Sequence, residues 1–164
     1  MRPTRQNRRK IHTRGQPVVL FTVGEVTFAI TASAVNEIQT LQGALPIRSM
    51  GKVRHSLIRD GRRYWVVDAN FHFGLLPTHS DRVLLLTDSP VAVKVDAIER
   101  MTEILRVLPL PNAFQNDERH WYLGLALIDG KVIPVVNPNS FLSHFDLNAL
   151  EATISHNDVA EVPA

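Results

Sequence analysis

A chain of 164 residues, 45% apolar and 21% charged, has the size of one globular domain able to bury its own core. The absence of cysteine excludes thiol catalysis, a disulfide framework and cysteine-ligated zinc. The longest apolar runs, Val18 to Val23 and Val83 to Leu86, fall far short of the ~18 residues a membrane span needs.

The formal charge of +2 is unevenly spread. Residues 1–17 hold Arg2, Arg5, Arg8, Arg9, Lys10 and Arg14 with no acid, so the rest of the chain is net acidic. A basic, hydrophobe-poor arm cannot bury enough apolar area to offset its chain entropy and reads as a disordered tail. Contact with nucleic acid or anionic lipid is its functional alternative. The arm lacks the apolar run and small-residue cleavage site of a signal peptide, so a reducing, cytoplasmic setting is expected.

Beyond the arm, the pattern is short and two-periodic. Val18 to Val23 and Val26 to Ile30 flank Gly24-Glu25 and read as a hairpin, the glycine supplying the positive φ of a primed turn. Thr31 or Ser33 then caps a predicted short helix over Ala34 to Ile38, with Val35 and Ile38 three apart on one face. Thr40 to Ser56, containing Gly43, Pro46 and Gly51, reads as a long connection. Strands are predicted at Arg62 to Val67, Arg82 to Thr87, Val91 to Val95 and Lys131 to Val136, with tight turns at Asp88-Ser89-Pro90 and Asp129-Gly130. In Ala97 to Val107 the spacing of Ile98, Met101, Ile104 and Leu105 favours a helix, while the preceding Val91, Val93, Val95 alternation favours a strand that runs on. Residues 146–164 carry Asp146, Glu151, Asp158 and Glu161 with no base, and read as a short helix fading into an acidic tail. The ordered domain is therefore expected over 18–145. Many short strands with Gly/Pro punctuation indicate an all-β barrel or sandwich.

One internal echo stands out. Gly61 to Asp68 and Gly130 to Asn137 share a glycine, six mainly strand-forming residues, then Asp or Asn, and a short helix-like segment follows each. Two pseudo-equivalent β units would produce it.

No nucleophile elbow, P-loop or dinucleotide fingerprint occurs in the chain. The nearest histidines, His72 and His79, lack metal-ligand spacing. Asp68 and Asn137, at strand-to-helix junctions, suit N-capping better than catalysis. Arg62-Arg63-Tyr64-Trp65 is the tightest aromatic–basic cluster, but alternation along a strand sends half of it inward. A nucleic-acid-binding β barrel using the basic arm is therefore the alternative reading.

The order of these segments resembles the CheW-like domain, the adaptor module of bacterial chemosensory systems, over Val18 to Phe145. The opening hairpin Leu20 to Ile30, the Val35-Asn36-Glu37-Ile38 segment, the Gly61 to Asp68 strand with Phe73-Gly74-Leu75 after it, the Pro109-Leu-Pro111 turn, and Gly124-Leu125-Ala126 with Asp129 to Asn137 carry the resemblance. It implies two intertwined SH3-like five-stranded β barrels sharing a core, an extended strand at Ala97 to Leu105, and no catalysis or cofactor. It further implies a cytoplasmic scaffold at membrane receptor clusters, coupling the chemoreceptor cytoplasmic tip to the regulatory domain of a chemotaxis-type histidine kinase, with other CheW-like domains as further partners.

The chain departs from the family's N-L-R-G at Ile58-Arg59-Asp60-Gly61, where an acid replaces the arginine that faces the helix-end glutamate. Asp60 opposite Glu37 would repel it unless Arg59 or Arg62 swings in. Trp65 replaces a usual proline and His55 a common glycine. These mark a divergent member, serving chemotaxis or an alternative system such as surface motility. The expected partner face is Val35, Glu37, Ile38, Leu41, Arg59, Arg62, Tyr64 and Trp65, with Glu37 equally a solvated charge and Trp65 equally core.

Overall fold

The computed structural model describes residues 15–77, 79, 81–114 and 116–160, so the basic arm lies outside it up to residue 14. In chain order come β1 (Gln16–Val23), β2 (Val26–Thr31), a one-turn 3-10 helix (Ala32–Ala34), β3 (Val35–Thr40), β4 (Leu45–Met50), β5 (Val53–Arg59), β6 (Arg62–Asp68) and α1 (Ala69–His72). There follow β7 (Arg82–Leu86), β8 (Val91–Val95), β9 (Ala97–Ile104), α2 (Glu118–Trp121), β10 (Tyr122–Ile128), β11 (Lys131–Val136), a second 3-10 turn (Pro138–Ser140) and α3 (His144–Ala160).

The strands form two sheets, β10-β11-β2-β1-β9 and β3-β7-β8-β6-β5-β4. Reading the second as β5-β6-β8-β7-β3 reproduces the first strand for strand. In each, a hairpin (β10-β11 or β5-β6) joins a second hairpin (β2-β1 or β8-β7) through one parallel pair, β11 with β2 or β6 with β8. The fifth strand of each unit comes from beyond the other unit's hairpin. β3 follows β2 but joins the second sheet, and β9 follows β8 but joins the first. This exchange makes the units intertwined, and β4 is an additional edge strand.

Both sheets are curled. Thr40 and Leu45 are separated by at most about 18 Å of extended chain, whereas opposite edges of a flat six-stranded sheet lie about 24 Å apart. The turn between β3 and β4 therefore requires the second sheet to roll up. Arg59 fastens the roll, its guanidinium donating to the carbonyls of Ile58 (3.0 Å) and Gln42 (2.8 Å). The first sheet is drawn together by reciprocal bonds between Leu108 and Leu125, at 2.7 and 2.9 Å. Gly124 permits that approach, because a Cβ there would sit 2.2 Å from the Leu108 carbonyl oxygen.

Three apolar clusters follow from strand alternation. Val18, Leu20, Ala29, Ile104, Ala126, Ile128, Ile133 and Val135 fill the first unit. Leu57, Tyr64, Val66, Val83, Leu85 and Ala92 fill the second. The opposite faces of the same strands, including Val19, Phe21, Phe28, Trp65, Val67, Leu84 and Val93, meet between the sheets in the largest cluster. Strands such as β6 are thus buried on both faces.

Several expectations are corrected. Val35 to Ile38 is strand, not helix; a bulge between Val35 and Glu37 sets Val35 opposite Leu86 and Ile38 opposite Leu84, which gives two residues three apart one face. The presumed connection over Thr40 to Ser56 holds β4 and most of β5; Pro46 is tolerated because β4 is an edge strand, and Gly51 turns the chain at φ 58°. Ala97 to Ile104 is strand β9, as the resemblance implies and against the helical spacing, because it pairs along β1. β1 begins at Gln16, within the stretch assigned to the tail, and α3 is a 17-residue helix rather than a short one. Asp68 sits at the N-cap position of α1 but makes no capping bond; it faces its cross-strand partner Lys94 at 3.7 Å. Asn137 does cap, accepting from the Asn139 amide at 3.1 Å.

Candidate functional site

The eight expected partner-face residues do not form one face. Tyr64 and Trp65 are 3% and 2% exposed, so they are core and supply neither an interface anchor nor a stacking platform for bases. Val66 and Val67 are both buried as well, because both faces of β6 are covered. Arg62 and Arg63 remain outside, their guanidinium groups 5.8 and 5.9 Å from the Tyr64 and Trp65 ring centroids. Leu41 packs on the second unit's core and Val35 on the shared core. Arg59 is the clamp described above. Asp60 takes φ 50° beside Gly61 at 73°, a turn conformation aspartate accepts more readily than arginine, which accounts locally for the departure from the family pattern. Glu37 accepts a hydrogen bond from the Gln39 amide, and neither Glu37 nor Asp60 forms an ion pair among the described residues.

Ile38, 44% exposed, does reach a surface feature. A groove of about 330 Å³ runs where the two sheets meet, lined by Ile38 from β3, Arg82 from β7, and Asp96, Ala97 and Ile98 at the start of β9. Ile98 packs on the shared core, so the groove is the rim of that core opening to solvent. Asp96 is a structural member, accepting from the Gly24 amide at 2.6 Å and so tying the β1-β2 turn to β9.

A second apolar surface lies on the outer face of the β10-β11 hairpin. Leu123, Leu127 and Val132 are 52%, 65% and 64% exposed, Leu127 lies directly opposite Val132, and half-buried Leu125 lies opposite Pro134. The sequence signal was Tyr122 to Ile128, whose seven residues include one polar group, the tyrosine hydroxyl, although only alternate positions are needed for the core.

A third feature is polar. A cleft of about 560 Å³ is lined by residues including Lys52, His72, Asp117, His120, Ser143 and Asp146. His72 is 7% exposed and packs against Phe73, Trp121 and Phe141, with ring centroids 4.8, 5.3 and 4.8 Å away. Burial, reinforced by the Lys52 charge, lowers its pKa to about 3, so it is a neutral member of an aromatic cluster. The Lys52 ammonium approaches its Nδ1 at 3.0 Å. Lys52 and His72 lie twenty positions apart in sequence, and no local motif signals their meeting. His79 is exposed.

A family model for the CheW-like domain matches residues 17–146. The chain belongs to the CheW-like domain family. Among solved structures, this CheW-like chain is similar to the scaffolding protein TtCheW from Thermoanaerobacter tengcongensis, with a TM-score of 0.68 and 17% identity over 76% of this chain and 90% of that one. No curated protein matches it. Most of α3 lies beyond the family match, so this CheW-like domain closes its shared core with Leu147, Leu150 and Ile154 from outside the matched residues. No helix among the described residues is long and apolar enough to cross a membrane.

Proposed function

We propose that this CheW-like domain is a non-enzymatic adaptor in a bacterial chemosensory system, for chemotaxis or surface motility, working in the cytoplasm at receptor clusters. It holds a chemoreceptor cytoplasmic tip and the regulatory domain of a histidine autokinase at the same time. The observation that carries this reading is that apolar side chains reach solvent at two separate surfaces, the junction groove, where exposed Ile38 meets the core rim at Ile98, and the β10-β11 face at Leu123, Leu127 and Val132.

The groove suits a helical receptor tip. Its apolar rim accepts side chains from one helix face, and exposed Arg82 supplies a charge for an acidic partner residue. The hairpin face, with Leu123, Leu127 and Val132 exposed, suits the kinase's regulatory domain, which is homologous to this one. Each contact is expected to bury about 600–1,000 Å², the range of reversible signalling contacts. Coupling then needs only a rigid body between two docking faces, which the doubly buried strands provide.

Two substitutions test the assignment by isothermal titration. Ile38→Asp is expected to weaken binding of a receptor-tip fragment by about tenfold or more while leaving the kinase domain bound. Leu127→Asp is expected to do the reverse. If both variants keep both affinities, or if each loses both while still folded, the assignment fails.

A further inference from the structure

The polar cleft plays no part in either docking surface. We propose that Lys52 is an activated amine, a modification site at which small acyl phosphates transfer their acyl group to the protein.

Lys52 stands in the turn between β4 and β5 and is half-buried, with its Nζ against Nδ1 of His72 at 3.0 Å. His72 is locked by its aromatic neighbours and stays neutral, so it holds the amine in place without adding charge. The cleft of about 560 Å³ admits a molecule of acetyl phosphate size, and Asn139, Ser140 and Ser143 line it with polar groups for the phosphate. Among the titratable groups facing Lys52 across the cleft are His72, Asp117, His120 and Asp146. Lost hydration lowers the lysine's pKa, and the opposing pull of the Asp146 carboxylate is the smaller effect. More of the amine is therefore free base at neutral pH than for a solvated lysine, and the free base is the nucleophile.

In the step itself, the Nζ lone pair attacks the acyl carbonyl and an amide C–N bond forms. The C–O bond to phosphate breaks, inorganic phosphate leaves, and the nitrogen's surplus proton passes to solvent. No oxidant or reductant is needed. The product has lost the positive charge facing Asp146 in the first turn of α3.

The chain supplies its own controls. Lys131 is exposed in the β10-β11 hairpin, and Lys94 lies 3.7 Å from Asp68. The full-length protein is treated with limiting acetyl phosphate near neutral pH, folded and in urea, and site-specific acetylation rates are read by peptide mass spectrometry. Folded, Lys52 is expected to react at least about fivefold faster than Lys131, and the lead is expected to vanish in urea. Asp146→Asn, which removes the carboxylate favouring the ammonium, is expected to widen the lead. Equal or slower reaction at Lys52 in the folded protein overturns the proposal, as does a lead that persists in urea or narrows in the Asp146 variant.

Discussion

The two intertwined units share strand order and strand direction, yet treat their equivalent hairpins differently. In β6 the four residues Tyr64 to Val67 are all buried, because one side faces the unit's own core and the other the core between the sheets. In the equivalent β11, Ile133, Val135 and Val136 are buried, Pro134 at the position of Trp65 is half-buried, and Val132, 64% exposed opposite Leu127 at 65%, stands where β6 carries the outward Arg63. The echoed glycine-strand-Asp/Asn pattern therefore sets turn and strand in both places. Two positions separate them: a buried tryptophan against a half-buried proline, and an outward arginine against an outward valine, so the second unit's hairpin presents charge where the first keeps an apolar face for a partner.

The largest effect that sharpens this contrast is on stability. Trp65→Ala is expected to cost about 3–5 kcal/mol by urea denaturation, the loss for truncating a buried aromatic, whereas Leu127→Ala is expected to stay within about 0.5 kcal/mol. A folded, stable Trp65→Ala variant with selectively weakened partner binding would return that residue to the surface role first expected of it.

His72 gives the next effect. Burial, then the Lys52 charge, lowers its folded pKa to about 3 from the ordinary 6.5, so between those values the unfolded chain binds the extra proton. Its contribution to stability is complete above that window and is lost as pH falls through it, at up to about 1.4 kcal/mol per pH unit. His72→Phe, which keeps an aromatic ring in the site, is expected to flatten the slope of urea midpoint against pH; an unchanged slope would contradict the neutral, buried imidazole. Gly124→Ala follows, because its Cβ would meet the Leu108 carbonyl at 2.2 Å. A loss of about 2 kcal/mol is expected, together with faster amide exchange at Leu108 and Leu125. Gly130→Ala meets open space and strains only its own φ of 76°, so about 1 kcal/mol is expected there. Arg59→Ala, which removes the bond to the Gln42 carbonyl, is expected to cost a similar amount, about 1 kcal/mol, by urea denaturation.

Hairpins closed by Gly24 and Gly130 were legible in the sequence because turn chemistry and alternation agree there. The β3 strand was not, because a bulge gives Val35 and Ile38 the shared face that helical spacing also predicts. β9 carries helical spacing for the same reason, a register shift against β1 between Arg100 and Ile98, and only the resemblance to the family implied its strand. Among the candidate site residues, the exposure of Ile38 was legible, while Tyr64 and Trp65 were misplaced because alternation assumes one open face and β6 has none. Arg82, Ala97 and Ile98 were missed, since a groove made where two sheets meet leaves no mark in either segment alone.

The central claim, that one rigid domain holds two different proteins by two separate faces, is tested most directly by light scattering on a mixture of this protein, a receptor-tip fragment and the kinase regulatory domain. The expected result is a ternary complex that loses only the receptor fragment with Ile38→Asp and only the kinase domain with Leu127→Asp. Mutually exclusive binding, in which adding one partner displaces the other, would contradict it.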